Sequence, residues 1–121
     1  MKKAKNIFKW VLTILLGLEF IIAGQAKFTN AEIWIKQFEG WGYPDSFRIL
    51  IGALELIAAI FLFIPKFRTK AALLLIVIML GAFATHAIHA QWPNTIVTIV
   101  LVILLGVLYI LSSNKPFKLK K

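Results

Sequence analysis

The sequence predicts an all-α membrane protein, an antiparallel bundle of four transmembrane helices with a short interfacial helix in the first external loop. Two observations lead to this fold class. The 121-residue chain is 60% hydrophobic, with a mean hydropathy of +0.86, whereas a soluble domain is closer to half apolar. Its apolar residues also form four runs, each near the roughly 20 residues that cross a bilayer as a helix. The length allows one domain, residues 1–121.

The four apolar runs give the predicted spans, which cover residues 7–26, 47–64, 71–90 and 95–111. Helix-breaking residues agree with these limits, since Pro65 follows the second run and Pro93 precedes the fourth. Between the first two spans, residues 31–39 place Trp34 among polar neighbours. This pattern predicts an amphipathic interfacial helix with Asn30 as its N-cap. An irregular loop is the alternative for this segment.

The distribution of lysine and arginine predicts the orientation. The formal charge is +9, and the basic residues cluster before the first span, in residues 65–70 and after residue 114, whereas residues 89–94 contain none. Because cytoplasmic loops carry the excess of basic residues, we expect both termini in the cytoplasm and the protein in a bacterial cytoplasmic (inner) membrane. Residues 27–46 then face outward. These charges lie at the ends of apolar runs, so the expected partner is the lipid bilayer and not nucleic acid.

Three ionisable residues interrupt the apolar spans: Glu19 in the first, Glu55 in the second and His86 in the third. An ionisable side chain at the bilayer centre costs on the order of 2.5–3.5 kcal/mol. At a rise of about 1.5 Å per residue, both glutamates lie about 12 Å from the outer end of their helix, and His86 roughly 7 Å from its own. This common depth predicts a shared pocket in the outer half of the bundle, where the three groups exchange protons with a ligand. The alternative is that they only hydrogen-bond between helices.

The mouth of this pocket is predicted from Gln25, Lys27 and Arg48, which lie at the outer ends of the first two spans. Arg48 and Glu55 share one side of the second span. Because a guanidinium group matches a carboxylate well, we expect Arg48 to lean toward Glu55. Lys27 and Arg48 would attract an anionic substrate.

Metal chemistry is not predicted. The chain has no cysteine, which excludes thiolate metal sites and iron–sulfur clusters held by this chain alone. His86 and His89 are three residues apart and would reach one metal together with Glu55, which is a minor alternative.

Four segments together carry a family resemblance. Residues 17–28, 38–44, 52–58 and 79–86 read GLEFIIAGQAKF, FEGWGYP, GALELIA and MLGAFATH. In this order, over residues 8–111, they resemble the DoxX family of small four-helix membrane proteins. The positions that match recurring family positions are Ala23, Gly24, Lys27, Pro44, Glu55 and His86.

The resemblance implies a redox-linked, quinone-associated membrane subunit, since the family's namesakes are associated with a thiosulfate:quinone oxidoreductase. A quinone is then the implied cofactor, and the implied partners are a membrane or peripheral redox protein and a second copy of the chain. The sequence holds no complete catalytic constellation, so enzyme activity of this chain alone stays open. Two alternatives remain: a small proton-coupled transporter that uses Glu19, and a non-catalytic membrane assembly partner that docks through Trp34 or Trp41.

Overall fold

The computed structural model describes residues 2–113, and these residues form five α-helices and no β-strand. In chain order the helices are α1 Lys2–Thr29, α2 Ala31–Gly40, α3 Asp45–Leu62, α4 Arg68–Ile88 and α5 Trp92–Ser113. The all-α prediction is confirmed. The basic residues after residue 114, which we expect in the cytoplasm, lie outside the described part of the chain.

The limits of the long helices differ from the predicted spans by two to five residues. α1 begins earlier than predicted because its lysine-rich start consists of good helix formers, although it is not apolar. α3 ends two residues earlier, since Ile64 precedes Pro65 and the residue before a proline disfavours helical geometry. α5 begins earlier and includes Pro93 in its first turn, where the missing amide hydrogen leaves no helix bond unmade.

α2 is one residue longer than the predicted 31–39, and the predicted capping side chain is absent. Asn30 makes no side-chain cap hydrogen bond, so that detail of the prediction is wrong. Its backbone, with φ −103° and ψ 44°, lies outside the extended conformation from which a capping side chain reaches the first amides. The carbonyl oxygen of Asn30 instead accepts hydrogen bonds from the amides of Ile33 and Trp34, at 3.1 and 3.2 Å.

A glycine turn reverses the chain after α2. Gly42 has a φ of +85°, a left-handed conformation that glycine adopts without strain. The amide of Tyr43 then donates to the Phe38 carbonyl at 2.9 Å. As a result the Tyr43 ring returns to within 6.0 Å of the Phe38 ring, measured between centroids.

The four long helices pack most tightly in one half of the molecule, called the packed half below. Its core consists of Leu12, Leu16 and Phe20 from α1, Ala58, Ala59 and Leu62 from α3, Ala71, Ala72, Leu75 and Met79 from α4, and Leu105 and Leu108 from α5. These residues come from the middle of α1, from the first part of α4 and from the second half of α3 and α5. Helices that are neighbours in the bundle therefore run antiparallel.

Arg68 joins three helices at the end of the packed half. Its Nε donates to the carbonyl of Leu62 at 2.7 Å, which satisfies an otherwise free carbonyl at the end of α3. Its guanidinium group lies 4.3 Å from the centre of the Trp10 ring of α1. The start of α1, the end of α3 and the start of α4 therefore lie together.

Two glycines let α1 and α3 cross closely. A Cβ atom at Gly24 would lie 3.0 Å from the carbonyl oxygen of Gly52, and one at Gly52 would lie 3.1 Å from the Cβ of Lys27. Small residues at a helix crossing allow this backbone approach. The crossing brings the end of α1 against the middle of α3.

The outer surface of the molecule is apolar. Within residues 2–113, α1, α4 and α5 are long and apolar enough to cross a membrane. Large apolar side chains are exposed on the outward faces of the helices, among them Leu15, Val77 and Ile103. A continuous apolar surface of this kind marks a face that contacts lipid and not water. The protein is a membrane protein.

Candidate functional site: an aromatic-roofed cavity

The half of the molecule opposite the packed half contains a cavity of about 480 Å³. Its wall is mainly apolar and comes from all four long helices, with α2 and the turn after it closing one side. Glu19, Lys27, Glu55 and His86 all line this cavity. The size falls within the 300–1,000 Å³ that small-molecule and cofactor sites occupy.

Five aromatic residues close the cavity on the side of α2, and we call them the aromatic roof: Trp34, Phe38, Trp41, Tyr43 and Phe47. Phe38 is buried at the centre of this group, with the other four ring centroids 5.2–6.2 Å away. The rings meet at edge-on or tilted angles, the arrangement that aromatic pairs prefer. The roof therefore presents a mainly apolar, aromatic surface to the interior.

Hydrogen bonds tie the aromatic roof to the end of α4 and the residues after it. The Oε1 atom of Gln91 accepts from Trp41 Nε1 at 3.2 Å and lies 2.9 Å from Nδ1 of His86. The hydroxyl groups of Tyr43 and Thr85 are 2.8 Å apart. Trp41 of the roof is thus held by Gln91, just after α4, and Tyr43 is held by Thr85 of α4.

Lys27 and Glu55 form a buried ion pair in the cavity wall, with Nζ and Oε1 2.8 Å apart. Their side chains are only 8% and 2% exposed. Nζ also lies 3.4 Å from the Ala23 carbonyl oxygen and 4.4 Å from the centre of the Trp34 ring. Because a buried charge without a partner is costly, each member of this pair is needed to keep the other ionised.

Arg48 does not lean toward Glu55, and that expectation is wrong. Its guanidinium group pairs with Asp45, one turn earlier, at 2.9 Å, and donates to the Lys27 carbonyl oxygen. The physical reason is the close α1–α3 crossing, which brings the Lys27 ammonium group to within 2.8 Å of the Glu55 carboxylate. Neither Lys27 nor Arg48 is therefore a free cation able to attract an anion.

The predicted site residues divide into two groups. Glu19, Lys27, Glu55 and His86 line the cavity, whereas Gln25 and Arg48 are not part of its wall. Gln25 is exposed and bonds only within α1, its Oε1 accepting from Thr29 at 3.1 Å.

Glu19 differs from Glu55 in having no ionic partner. Among the described residues the ion pairs are Lys27–Glu55 and Arg48–Asp45, so the carboxylate of Glu19 remains uncompensated. It is exposed at the edge of the cavity, on the part of α1 that a bilayer would surround. Because carboxylates are rare in membrane helices, a carboxylate in that position is a functional candidate.

Several site residues were not identified from the sequence. Gln91, Thr85 and Tyr43 hold the roof in place, yet each is an ordinary polar residue at the end of a helix or in a turn. Their partners lie 42 and 50 positions away in the chain, so no local pattern indicated them. The only available signal was the aromatic density of residues 34–47 beside a helix end that carries histidine.

Metal binding finds no support in the residues described. Within residues 2–113 there is no group of three or more histidine, aspartate or glutamate side chains able to hold a metal ion. His89 donates from Nδ1 to the Thr85 carbonyl oxygen at 2.8 Å and is exposed.

The cavity opens sideways between α3 and α4. Leu50 and Val77 line the cavity and are nonetheless 51% and 60% exposed. Gly81 also lines it, and a Cβ atom built there would meet nothing within 4 Å. This gap faces the same side as the apolar outer surface, so the cavity communicates with the region that lipid occupies.

These features define a class: a helical membrane protein with an apolar, aromatic-roofed cavity and a buried ion pair in one half. The family model of the DoxX-like family matches residues 11–108, and the chain belongs to the DoxX-like family. A Bacillus subtilis (strain 168) relative named "Putative oxidoreductase CatD" is 27% identical over 92 residues, which cover 76% of this chain and 69% of the relative. No solved structure matches the chain. The family resemblance of the sequence is confirmed.

Proposed function

We propose that this protein is a four-span inner-membrane subunit of a redox system, and that its cavity binds the ring of a quinone-type molecule. The observation that carries the proposal is the cavity itself. It combines an aromatic roof and apolar walls with a few polar groups, Glu19, the Lys27–Glu55 pair and His86. That combination suits a flat apolar ring with polar substituents at its edge.

The proposed membrane crossing by α3 is supported by where its charges lie. The helix has 18 residues, and three of them are charged, Asp45, Arg48 and Glu55, which sets it apart from the three helices that are apolar enough to cross a membrane. However, Arg48 and Glu55 are buried and paired, while the outward face carries exposed Ile57 and Ile60. Paired charges inside a bundle are compatible with a lipid-facing apolar surface.

The orientation proposed from the basic residues agrees with this arrangement. The lysine-rich start of α1 lies at the same end as Arg68, and the aromatic roof lies at the other end. Under the positive-inside rule the cavity then lies in the outer half of the membrane. α2, with exposed Ile33 and Ile35, would rest at the outer membrane interface.

A redox role draws support from the family and from the named relative. The relative from Bacillus subtilis carries the word oxidoreductase in its name. This chain has no cysteine of its own for electron transfer. Chemistry on a bound ring would need a further cofactor bound here or a redox protein that docks at the membrane, and a second copy of the chain is the other partner to test.

The proposal is tested by quinone binding to the purified protein in lipid nanodiscs. Ubiquinone-1 bound beside Trp34 and Trp41 should quench their fluorescence with a saturable isotherm. A variant in which both are phenylalanine should lose most of this quenching, because neither remaining tryptophan is part of the cavity wall: Trp10 lies at the opposite end of the bundle and Trp92 is exposed at the start of α5. Glu55→Gln, which removes the ionic partner of Lys27 in the cavity wall, should change the affinity for ubiquinone-1.

Glu32→Gln is the matched control, because Glu32 is exposed on α2 and is not part of the cavity wall. Circular dichroism and size-exclusion profiles establish that each variant is folded. Isotherms that are linear in quinone and identical for wild type, the double phenylalanine variant and Glu55→Gln would contradict the proposal.

A further inference from the structure

The polar groups of the cavity wall differ in whether they can still donate or accept a hydrogen bond. A ligand confined in an apolar cavity must satisfy the polar groups that face it, because a buried group left without a partner costs about 1–3 kcal/mol. The bonds already made inside the protein therefore restrict the chemistry of the ligand.

Most hydrogen-bond donors of the wall are already used. Trp41 donates its indole hydrogen to Gln91. Thr85 donates to the Gly81 carbonyl at 2.9 Å, so the hydrogen between Thr85 and Tyr43 comes from the tyrosine. Thr98 donates to the Thr95 carbonyl at 2.8 Å.

Lys27 is occupied in the same way. Its ammonium group donates to Glu55 and to the Ala23 carbonyl, and its remaining side faces the Trp34 ring. Within residues 2–113, the indole hydrogen of Trp34 is the one side-chain donor of the wall that makes no hydrogen bond.

His86 presents an acceptor. Trp41 Nε1 is only a donor, so the Gln91 atom that it contacts is the acceptor oxygen. That same oxygen lies 2.9 Å from Nδ1 of His86, which must therefore carry the hydrogen. In the neutral ring Nε2 is then the acceptor, and no group in the described part of the chain donates to it.

The carboxylates add further acceptors. Glu19 forms no ion pair among the described residues, and Glu55 uses only Oε1 toward Lys27. With Lys27 and both glutamates ionised, the wall carries a formal charge of −1 (+1 −2). Acceptors on three residues thus face a single unused donor.

From this imbalance we infer that the cavity selects the reduced, hydroxyl-bearing form of its ring ligand, a hydroquinone or quinol, over the oxidised quinone. A quinone has two carbonyl oxygens and offers only acceptors, whereas the quinol offers two hydroxyl donors. One hydroxyl matches Nε2 of His86 and the other a carboxylate of the same cavity, that of Glu19 or Glu55. The inference rests on the proposed function, because it assigns the oxidation state of the same ligand.

The experiment compares ubiquinone-1 with ubiquinol-1 in nanodiscs that contain the protein. Calorimetric titrations of each form should give the quinol at least about tenfold tighter binding, the discrimination expected from one unsatisfied buried polar group. A spectroelectrochemical titration supplies a second readout. Tenfold tighter binding of the reduced form raises the midpoint potential of the bound two-electron couple by about 30 mV.

The Glu19→Gln variant tests the origin of the preference. It replaces an acceptor-only carboxylate with an amide that also donates, so the affinity ratio and the potential shift should both fall. Glu32→Gln, outside the cavity, should leave both unchanged. The ratio is measured on one sample, so partial unfolding of a variant does not imitate the effect.

Each other outcome overturns the inference in a distinct way. Equal affinities, or tighter quinone binding, leave the proposed function standing and refute the choice of oxidation state. Binding of neither form refutes both proposals. Displacement of ubiquinol-1 by tetraphenylphosphonium at lower concentration than by quinone would show that the negative wall selects a lipophilic cation.

Discussion

At the residue level, the Lys27–Glu55 pair sets the polar character of the cavity wall. The two charged atoms are 2.8 Å apart and almost fully buried. Desolvation opposes such a pair, and the attraction within it roughly compensates, so the pair adds little net stability. Losing one member, however, leaves the other as an uncompensated charge in a low-dielectric wall.

Lys27→Met should therefore destabilise the protein strongly, by about 3–5 kcal/mol, because Glu55 loses its only ionic partner. The double variant Lys27→Met/Glu55→Met should recover most of that loss, since neither charge remains. Denaturant unfolding in detergent, followed by circular dichroism, measures the difference. Lys36→Met, at an exposed lysine of α2, is the control and should stay close to wild type. Equal losses in the single and double variants would be inconsistent with a buried pair.

At the level of elements, the crossing of α1 and α3 sets the geometry of the site. Gly24 and Gly52 allow the backbones to approach so closely that each would contact a Cβ atom of the other at 3.0–3.2 Å. The approach brings Lys27 opposite Glu55. A pairing between these residues thus depends on two glycines that carry no chemistry of their own.

Gly24→Ala should weaken this crossing by about 1–3 kcal/mol, because the added methyl group meets the Gly52 carbonyl and the Leu56 amide, neither of which can move easily. Gly106→Ala on α5 is the matched control, since a Cβ atom there has open space. The melting temperature in detergent is the measurement. Equal melting temperatures for the Gly24→Ala and Gly106→Ala proteins would show that α1 and α3 cross at a greater distance.

The opening between α3 and α4 is also a property of elements. Gly81 lies at this gap, and its missing side chain leaves the cavity accessible from the lipid side. Gly81→Phe should slow the binding of a long-tailed quinone delivered from the bilayer by about one decade, with little effect on protein stability. Stopped-flow tryptophan quenching measures the rate, and Gly106→Phe is the control. Unchanged rates would indicate that the quinone enters the cavity by another route.

At the level of the whole molecule, the two halves differ in how tightly the helices pack. The packed half buries apolar residues of all four long helices, while the other half leaves about 480 Å³ between the same helices. Because the helices are continuous through both halves, tight packing at one end positions the polar groups at the other. α2 and the aromatic roof then close the open end.

The absence of cysteine makes the topology directly testable. Ser46→Cys and Asn94→Cys, both at exposed positions near the roof end, should react with a membrane-impermeant maleimide on intact cells. Lys66→Cys, in the basic turn before α4, should react only after lysis. This pattern would place a membrane crossing between residues 46 and 66, which is α3. Labelling of Asn94→Cys and Lys66→Cys from one side would refute the four-span arrangement.

Much of the fold was predictable from local sequence. Long apolar runs, helix-breaking prolines and the polar pattern of residues 31–39 predicted five helices with limits within five residues. Periodicity and depth also indicated that Glu19, Glu55 and His86 belong near one another, and all three line the cavity. Errors arose where a residue's partner was chosen from its own helix, as for Arg48.

The sequence by itself determined that this is an all-helical membrane protein of the DoxX-like family, because hydropathy and motif order are properties of contiguous residues. Only the tertiary structure decided that Lys27 pairs with Glu55 and that Gln91 fixes both Trp41 and His86. The first of these contacts joins residues 28 positions apart, and the contact between Trp41 and Gln91 joins residues 50 positions apart. The contact between Gln91 and His86 fixes the orientation of the imidazole ring. These contacts depend on how closely helices cross and how a turn folds back, which no single segment encodes.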